Sequence, residues 1–164
     1  MLTFNRLHEV LHYNPTTGVW RWRLTMSNRA MAGDVAGSLR KRGDVGIRID
    51  GVEYKAHRLA WFYVSGRWPL NQVDHQNLVR SDNRWDNLRL ANNSQNNANR
   101  PVRCDSSTGV KGVIFNPRSK VNPYHARIRV GGKIKILGQF TTIDAAQAAY
   151  WMAAQEVFGA FAHA

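Results

Sequence analysis

Asp74 and His75 are adjacent in the chain, and Asn87 and Asn96 follow. The stretch V-D-H-Q-N-L-V-R-S-D-N-R-W-D-N-L-R-L-A-N-N-S-Q-N-N-A-N-R, residues 73–100, therefore gathers a carboxylate, an imidazole and a set of amides. Phosphodiester hydrolysis needs an in-line water, neutralised charge on the phosphate and help for the leaving oxygen. An imidazole can supply the first and a divalent metal the other two. Asp74 is a hard oxygen ligand suited to Mg2+ or Mn2+, and Asn96 offers an amide oxygen. Together they leave most of the coordination sphere to water and phosphate oxygens, as magnesium prefers. Asn93, Asn97 and Asn99 compete with Asn96 for that place. Adjacent strand residues point to opposite faces, so Asp74 and His75 need a bulge or twist at a strand end to line one phosphate.

The elements that must position these residues can be read outward from them. Gln72 to His75 reads as a strand, Gln76 to Asp86 as a polar loop supported by Asn83, and Asn87 to Leu90 as a second strand. Ser94 is placed to cap a helix that starts near Gln95, carries Asn96 and ends at Arg100-Pro101. Upstream, His57 to Val64 has helical spacing and stops at Ser65-Gly66; it is expected to pack beneath the motif. His57 itself reads as a core or loop hydrogen-bonding residue. Asp50-Gly51 between alternating runs signals a two-residue hairpin. Residues 2–12 fit a short amphipathic helix, and Trp20 and Trp22 alternate with arginines on a strand whose aromatics face the core. Residues 24–37 read as loop.

The 73–100 stretch resembles the H-N-H nuclease motif, the ββα-metal site of phage and intron-type endonucleases, in order, spacing and flanking residues. The run A-H-R-L-A-W-F-Y-V-S-G-R-W-P before it looks like the segment that precedes the motif in many phage proteins of this kind. The resemblance implies His75 as general base, Asn87 as the residue that orients it and pins the loop, and Asp74 and Asn96 as ligands of one divalent metal ion. The last position is Asn96 where the family often has His, which makes this an H-N-N variant.

Beyond a linker at 101–108, three strand-like runs (Gly112–Asn116, Tyr124–Val130, Lys133–Leu137) precede an alanine-rich helix capped by Thr142. Gly131-Gly132 is the expected hairpin turn. The order βββα, with G-V-K-G-V, L-G-Q-F-T-T, D-A-A-Q-A-A-Y and F-G-A-F-A, resembles the APETALA/ethylene-response-factor DNA-binding domain over residues 107–162. Tyr124 stands where the plant domain carries Trp. Arg127 and Arg129 share one face of the central strand, while Ala126, Ile128 and Val130 are expected on the helix. Lys111, Arg118, Lys133 and Lys135 add positive charge for duplex DNA.

Composition agrees with a nucleic-acid partner. The net charge is +12, and it is uneven: eleven Lys/Arg against five acids over 1–70, four against three over 71–100, eight against three over 101–164. Cys104 is the sole cysteine, which excludes an internal disulfide and a four-cysteine structural zinc site and fits a reducing cytoplasm. No run is long and apolar enough for a membrane span, and the N-terminus does not read as a signal peptide. The expected fold is α+β: an N-terminal helix and hairpin extension (1–70), a ββα-metal nuclease core (71–100), the linker, and a βββα DNA-binding domain (109–164). The expected function is metal-dependent, homing-type cleavage or nicking of double-stranded DNA, by a monomer or homodimer encoded by a phage and acting in its bacterial host's cytoplasm. A non-catalytic DNA-binding protein that retains the fold, and a nuclease directed at RNA, are the alternatives.

Overall fold

A computed structural model describes residues 2–163. The chain divides into two compact units, Met1–Ala91 and Asn92–Ala164. The boundary falls inside the 71–100 stretch, between its second strand and its helix. Helices and strands both contribute, as α+β requires. Among the described residues no helix is long and apolar enough to cross a membrane.

The first unit opens with helix α1 (Phe4–Val10), N-capped by Thr3, whose hydroxyl accepts from the Arg6 amide. The sequence predicts helix to residue 12, but Leu11 turns extended and starts strand β1 (Leu11–Tyr13), which pairs with β2 (Trp20–Trp22). That pairing buries Leu11, Tyr13, Trp20 and Trp22 together, more apolar surface than another half-turn of helix would cover. Both tryptophans are core residues. A short strand β3 (Ser38–Leu39), not visible in the sequence, pairs with β4 (Val45–Ile49), which pairs with β5 (Val52–Lys55) through the Asp50-Gly51 turn. Both turn residues have positive φ, 48° and 79°, as the primed hairpin turn demands. Helix α2 (Ala56–Ser65) follows and ends at left-handed Gly66. Strands β6 (Gln72–His75) and β7 (Leu88–Ala91) form an antiparallel ribbon, and Val73 and Leu88 join Leu59 and Ala60 of α2 in one core. Asn87 lies in a 3-10 turn, Trp85–Asn87, just before β7 and not in the strand.

In the second unit, helix α3 (Asn93–Ala98) is capped by Asn92. The Asn92 side chain accepts from the Gln95 amide and Gln95 reciprocates, so Ser94 sits inside the first turn and is not the cap. Strands β8 (Val113–Phe115), β9 (Tyr124–Val130) and β10 (Lys133–Phe140) make a sheet of order β10-β9-β8. Strand β10 outruns the sequence expectation because an irregularity between Ile136 and Gly138 lets pairing resume to Phe140. Helix α4 (Ile143–Phe158) packs Ala146, Tyr150 and Ala154 onto Ala126 and Ile128. Thr142 caps it as expected. Val130 is exposed, where the sequence places it on the helix. Gly112 has positive φ and backs onto the Tyr150 ring so closely that any Cβ would overlap it.

Candidate functional site

His75 is the last residue of β6. Its ladder with β7 runs without a shift: Val73 faces Leu90, Asp74 faces Arg89 and His75 faces Leu88. No bulge interrupts this ladder, and pleating sends the Asp74 and His75 side chains to opposite faces of the ribbon. On the His75 face, the His57 ring of α2 meets the His75 ring edge-on, with centroids 4.9 Å apart and planes at 79°. On the other face, Arg89 Nε donates to Asp74 Oδ2 at 3.0 Å in a buried ion pair.

The His75 ring is held by Asn83, whose Oδ1 lies 3.3 Å from Nε2. Asn83 Nδ2 donates to the Ser81 carbonyl, which turns Oδ1 toward the ring. An oxygen there selects the tautomer with the proton on Nε2 and the lone pair on Nδ1. Burial is the main influence on the imidazole and pushes its pKa below the ordinary value. The Asn83 hydrogen bond and the Asp74 charge oppose that shift. At neutral pH the ring is therefore a neutral base. His57 is pushed down further, to about 3, chiefly by burial, and its Nδ1 is buried without a hydrogen-bond partner.

The loop between His75 and Asn87 is tied at several points. Asn87 Oδ1 accepts from the Asn77 amide at 3.0 Å, and Asn87 Nδ2 donates to the Asp82 carbonyl at 2.7 Å. The Gln76 amide donates to the Asn87 carbonyl. Asp82 takes two bonds from the Arg84 guanidinium, one from the Arg84 amide and one from Asn77, which hold its carboxyl down at about 2. These ties hold Leu78 at φ 64°, a strained setting for a branched side chain. From outside the loop, Tyr13 donates to the Asn83 carbonyl at 2.5 Å, and the Trp85 amide donates to the Pro15 carbonyl at 2.8 Å. A polar cleft of about 580 Å3 opens beside the loop, lined by Thr16, Gln76, Asn77, Arg84, Asp86 and Asn87.

Asp74, His75 and Asn87 thus lie together at one end of the β6–β7 ribbon, while Asn96 lies on α3 in the second unit. Asn87 ties the loop through Asn77 and Asp82, and a hydrogen bond to the His75 ring comes from Asn83. Asn83, His57, Arg89 and Tyr13 were not read as site residues in the sequence. The only signal for Asn83 was its place in the loop closed by His75 and Asn87. Among the described residues, no group of three or more His, Cys, Asp or Glu side chains could hold a metal ion. The donor set is a single carboxylate plus amide oxygens, which suits a hard ion that keeps its waters.

The cations assigned to DNA separate in the second unit. Arg127 and Arg129 are exposed on one face of β9, and Arg118 is exposed in the turn after β8. Lys133 pairs with Val130 and Lys135 with Ile128, so both sit on the pleat opposite to the arginines, although exposed. The Lys111 ammonium donates to the carbonyls of Ala98 and Arg100, and burial pushes it down to about 8.

No curated protein and no solved structure matches the chain. Residues 54–98, which run from β5 through α2, the ribbon and its loop to the end of α3, match the model of a family described as HNH endonuclease, and this match supports an HNH nuclease acting on DNA.

Proposed function

We propose that the chain is a metal-dependent, site-specific DNA endonuclease of the homing type, with His75 as general base. The observation that carries this reading is the state of His75: buried, neutral at neutral pH, and held by Asn83 with its lone pair on Nδ1. In the reaction, Nδ1 takes a proton from water as the water oxygen attacks phosphorus and the bond to the leaving oxygen breaks. Asn83 holds the imidazole in that tautomer. Asn87 keeps the loop closed behind it. A phosphate seated at the end of β6 can be flanked by both Asp74 and His75, since the strand stops there. Asp74 and Asn96 would hold one Mg2+ or Mn2+, which supplies charge neutralisation on the phosphate and on the leaving oxygen. The Arg89 ion pair fixes the position of the Asp74 carboxylate. The second unit supplies further DNA contacts through Arg127, Arg129 and Arg118.

The Arg89 ion pair also favours a second reading, a non-catalytic DNA-binding protein, because it already engages one oxygen of the proposed metal ligand. Supercoiled plasmid incubated with the protein in Mg2+ or Mn2+ separates the two. Nicking or cutting that is lost in chelator, and reduced about 10²–10⁴-fold in His75→Ala with binding retained, supports the endonuclease. Binding without cleavage in either metal establishes the second reading. Wild-type cleavage by His75→Ala removes His75 from the mechanism.

A further inference from the structure

The outer face of the β8–β10 sheet is cationic and aliphatic at once. Arg129 of β9 pairs with Ile134 of β10, and Arg127 pairs with Ile136. Directly paired residues project to the same face, so each arginine has an isoleucine beside it. Ile134 is 50% exposed and Ile136 is 73% exposed. Both lie on an edge strand, where large bare aliphatics invite unwanted pairing unless they serve contact. The opposite face is covered by α4 and needs no help from them. The three strands contain no acidic residue. The acids of this unit are Asp144 and Glu156 on α4, and Asp105, which pairs with Arg103.

The occupant must therefore offer anionic and apolar groups side by side. Duplex DNA has both features in its major groove, where phosphates flank base edges and each thymine presents a C5-methyl group. Duplex RNA lacks them, since its major groove is deep and narrow and uracil has no methyl. We infer that Ile134 and Ile136 are specificity-determining residues that read thymine methyl groups, while Arg127 and Arg129 hold the flanking phosphates or a guanine edge. This rests on the reading of the second unit as a DNA-binding module. It predicts that the preferred site contains adjacent thymines, and it explains why the aliphatics share the arginine face while Lys133 and Lys135 do not.

The test uses full-length protein in chelator, so that no strand is cut. Duplexes are selected from a random-sequence pool, and a selected duplex is compared by anisotropy with copies carrying deoxyuridine for each thymine in turn. The exchange deletes the methyl alone. At one cluster of positions, wild-type binding is expected to weaken about fourfold per methyl. Ile134→Ala/Ile136→Ala is expected to bind thymine and deoxyuridine duplexes alike, with an unchanged salt slope. Arg127→Ala/Arg129→Ala is expected to keep the thymine preference while the salt slope shrinks by up to about two units. Thermal melts of both variants check folding, and the wild-type comparison needs no variant. Equal wild-type binding of the two duplexes overturns the inference and leaves the DNA-binding reading intact. So does a thymine preference that survives loss of both isoleucines. Tighter binding to an RNA duplex of the same sequence overturns it as well. If neither double variant alters affinity or salt slope, the DNA-binding reading of this unit falls, and the inference with it.

Discussion

The proposed chemistry depends, at the residue scale, on keeping one imidazole neutral and aimed. The His75 pKa lies below its ordinary value, and the base works only when unprotonated. Cleavage should therefore rise with pH along an acid limb below about 6.5 and level off through neutrality. Asn83→Ala removes a hydrogen bond that raises that pKa and fixes the tautomer. The acid limb should move to lower pH while the plateau falls by about 10–100-fold, read from a pH–rate profile on plasmid. An unchanged plateau would exclude Asn83 from positioning His75. His57 gives a second, separable prediction on stability. Its folded pKa, about 3, lies below the unfolded value near 6.5, so the unfolded chain binds more protons between those values. Stability contributed by neutral burial is complete above about pH 6.5. It is lost as pH falls, by up to about 1.4 kcal/mol per pH unit from this group. His75, shifted the same way, adds to the loss. Denaturant melts at pH 7 and pH 5 should show the fall, and His57→Phe should reduce it. Equal pH dependence in that variant would show that His57 is not the group responsible.

Among the elements, the loop between β6 and β7 is held from the N-terminal ribbon as much as by itself. Gly18 has φ 73°, and a Cβ there would meet the Asn83 and Arg84 backbone at 2.5 Å. Gly18→Ala should therefore lower stability by about 1–3 kcal/mol and displace the segment that carries Asn83, visible as a lower denaturation midpoint together with slower cleavage. Normal cleavage from a destabilised Gly18→Ala would mean that the ribbon supports the fold but not the base. This coupling was not legible in the sequence. The β6 strand, the polar loop, the Asp50-Gly51 hairpin, α2 and the βββα order were, because each has its own period or turn signal. Asn83 and Tyr13 are far apart in the chain, and nothing local marks that the Tyr13 hydroxyl reaches the Asn83 carbonyl. The α3 cap is ambiguous in the sequence for a related reason. Asn92, Asn93 and Ser94 are all competent caps, and only the reciprocal bond with Gln95 selects Asn92. Strand β3 is two residues long and carries no pattern at all.

For the whole molecule, the proposed division of labour between the two units bears on what each charge is for. The sequence assigns Lys111 to DNA on the strength of its sign and its place beside β8. In the fold, its half-buried ammonium holds the carbonyls of Ala98 and Arg100, at and just beyond the end of α3. Cations at helix C-termini satisfy carbonyls that have no partner within the helix. Lys111 therefore bears on the helix that carries Asn96, and the two assignments of Lys111 predict opposite outcomes for Lys111→Met, which keeps the length and removes the charge. If Lys111 anchors α3 and Asn96 is a metal ligand, the Mg2+ or Mn2+ concentration for half-maximal cleavage should rise by about tenfold. That corresponds to about 1.4 kcal/mol, within the range for carbonyls left unpaired. The salt slope of DNA binding should stay as in the wild type. If Lys111 contacts a phosphate, the slope should shrink by about one unit and the metal requirement should not move. A metal titration of plasmid cleavage and a salt titration of duplex binding, run on the same preparation, read both. A wild-type metal requirement with a reduced slope would return Lys111 to the DNA-facing set and remove it as the anchor of α3.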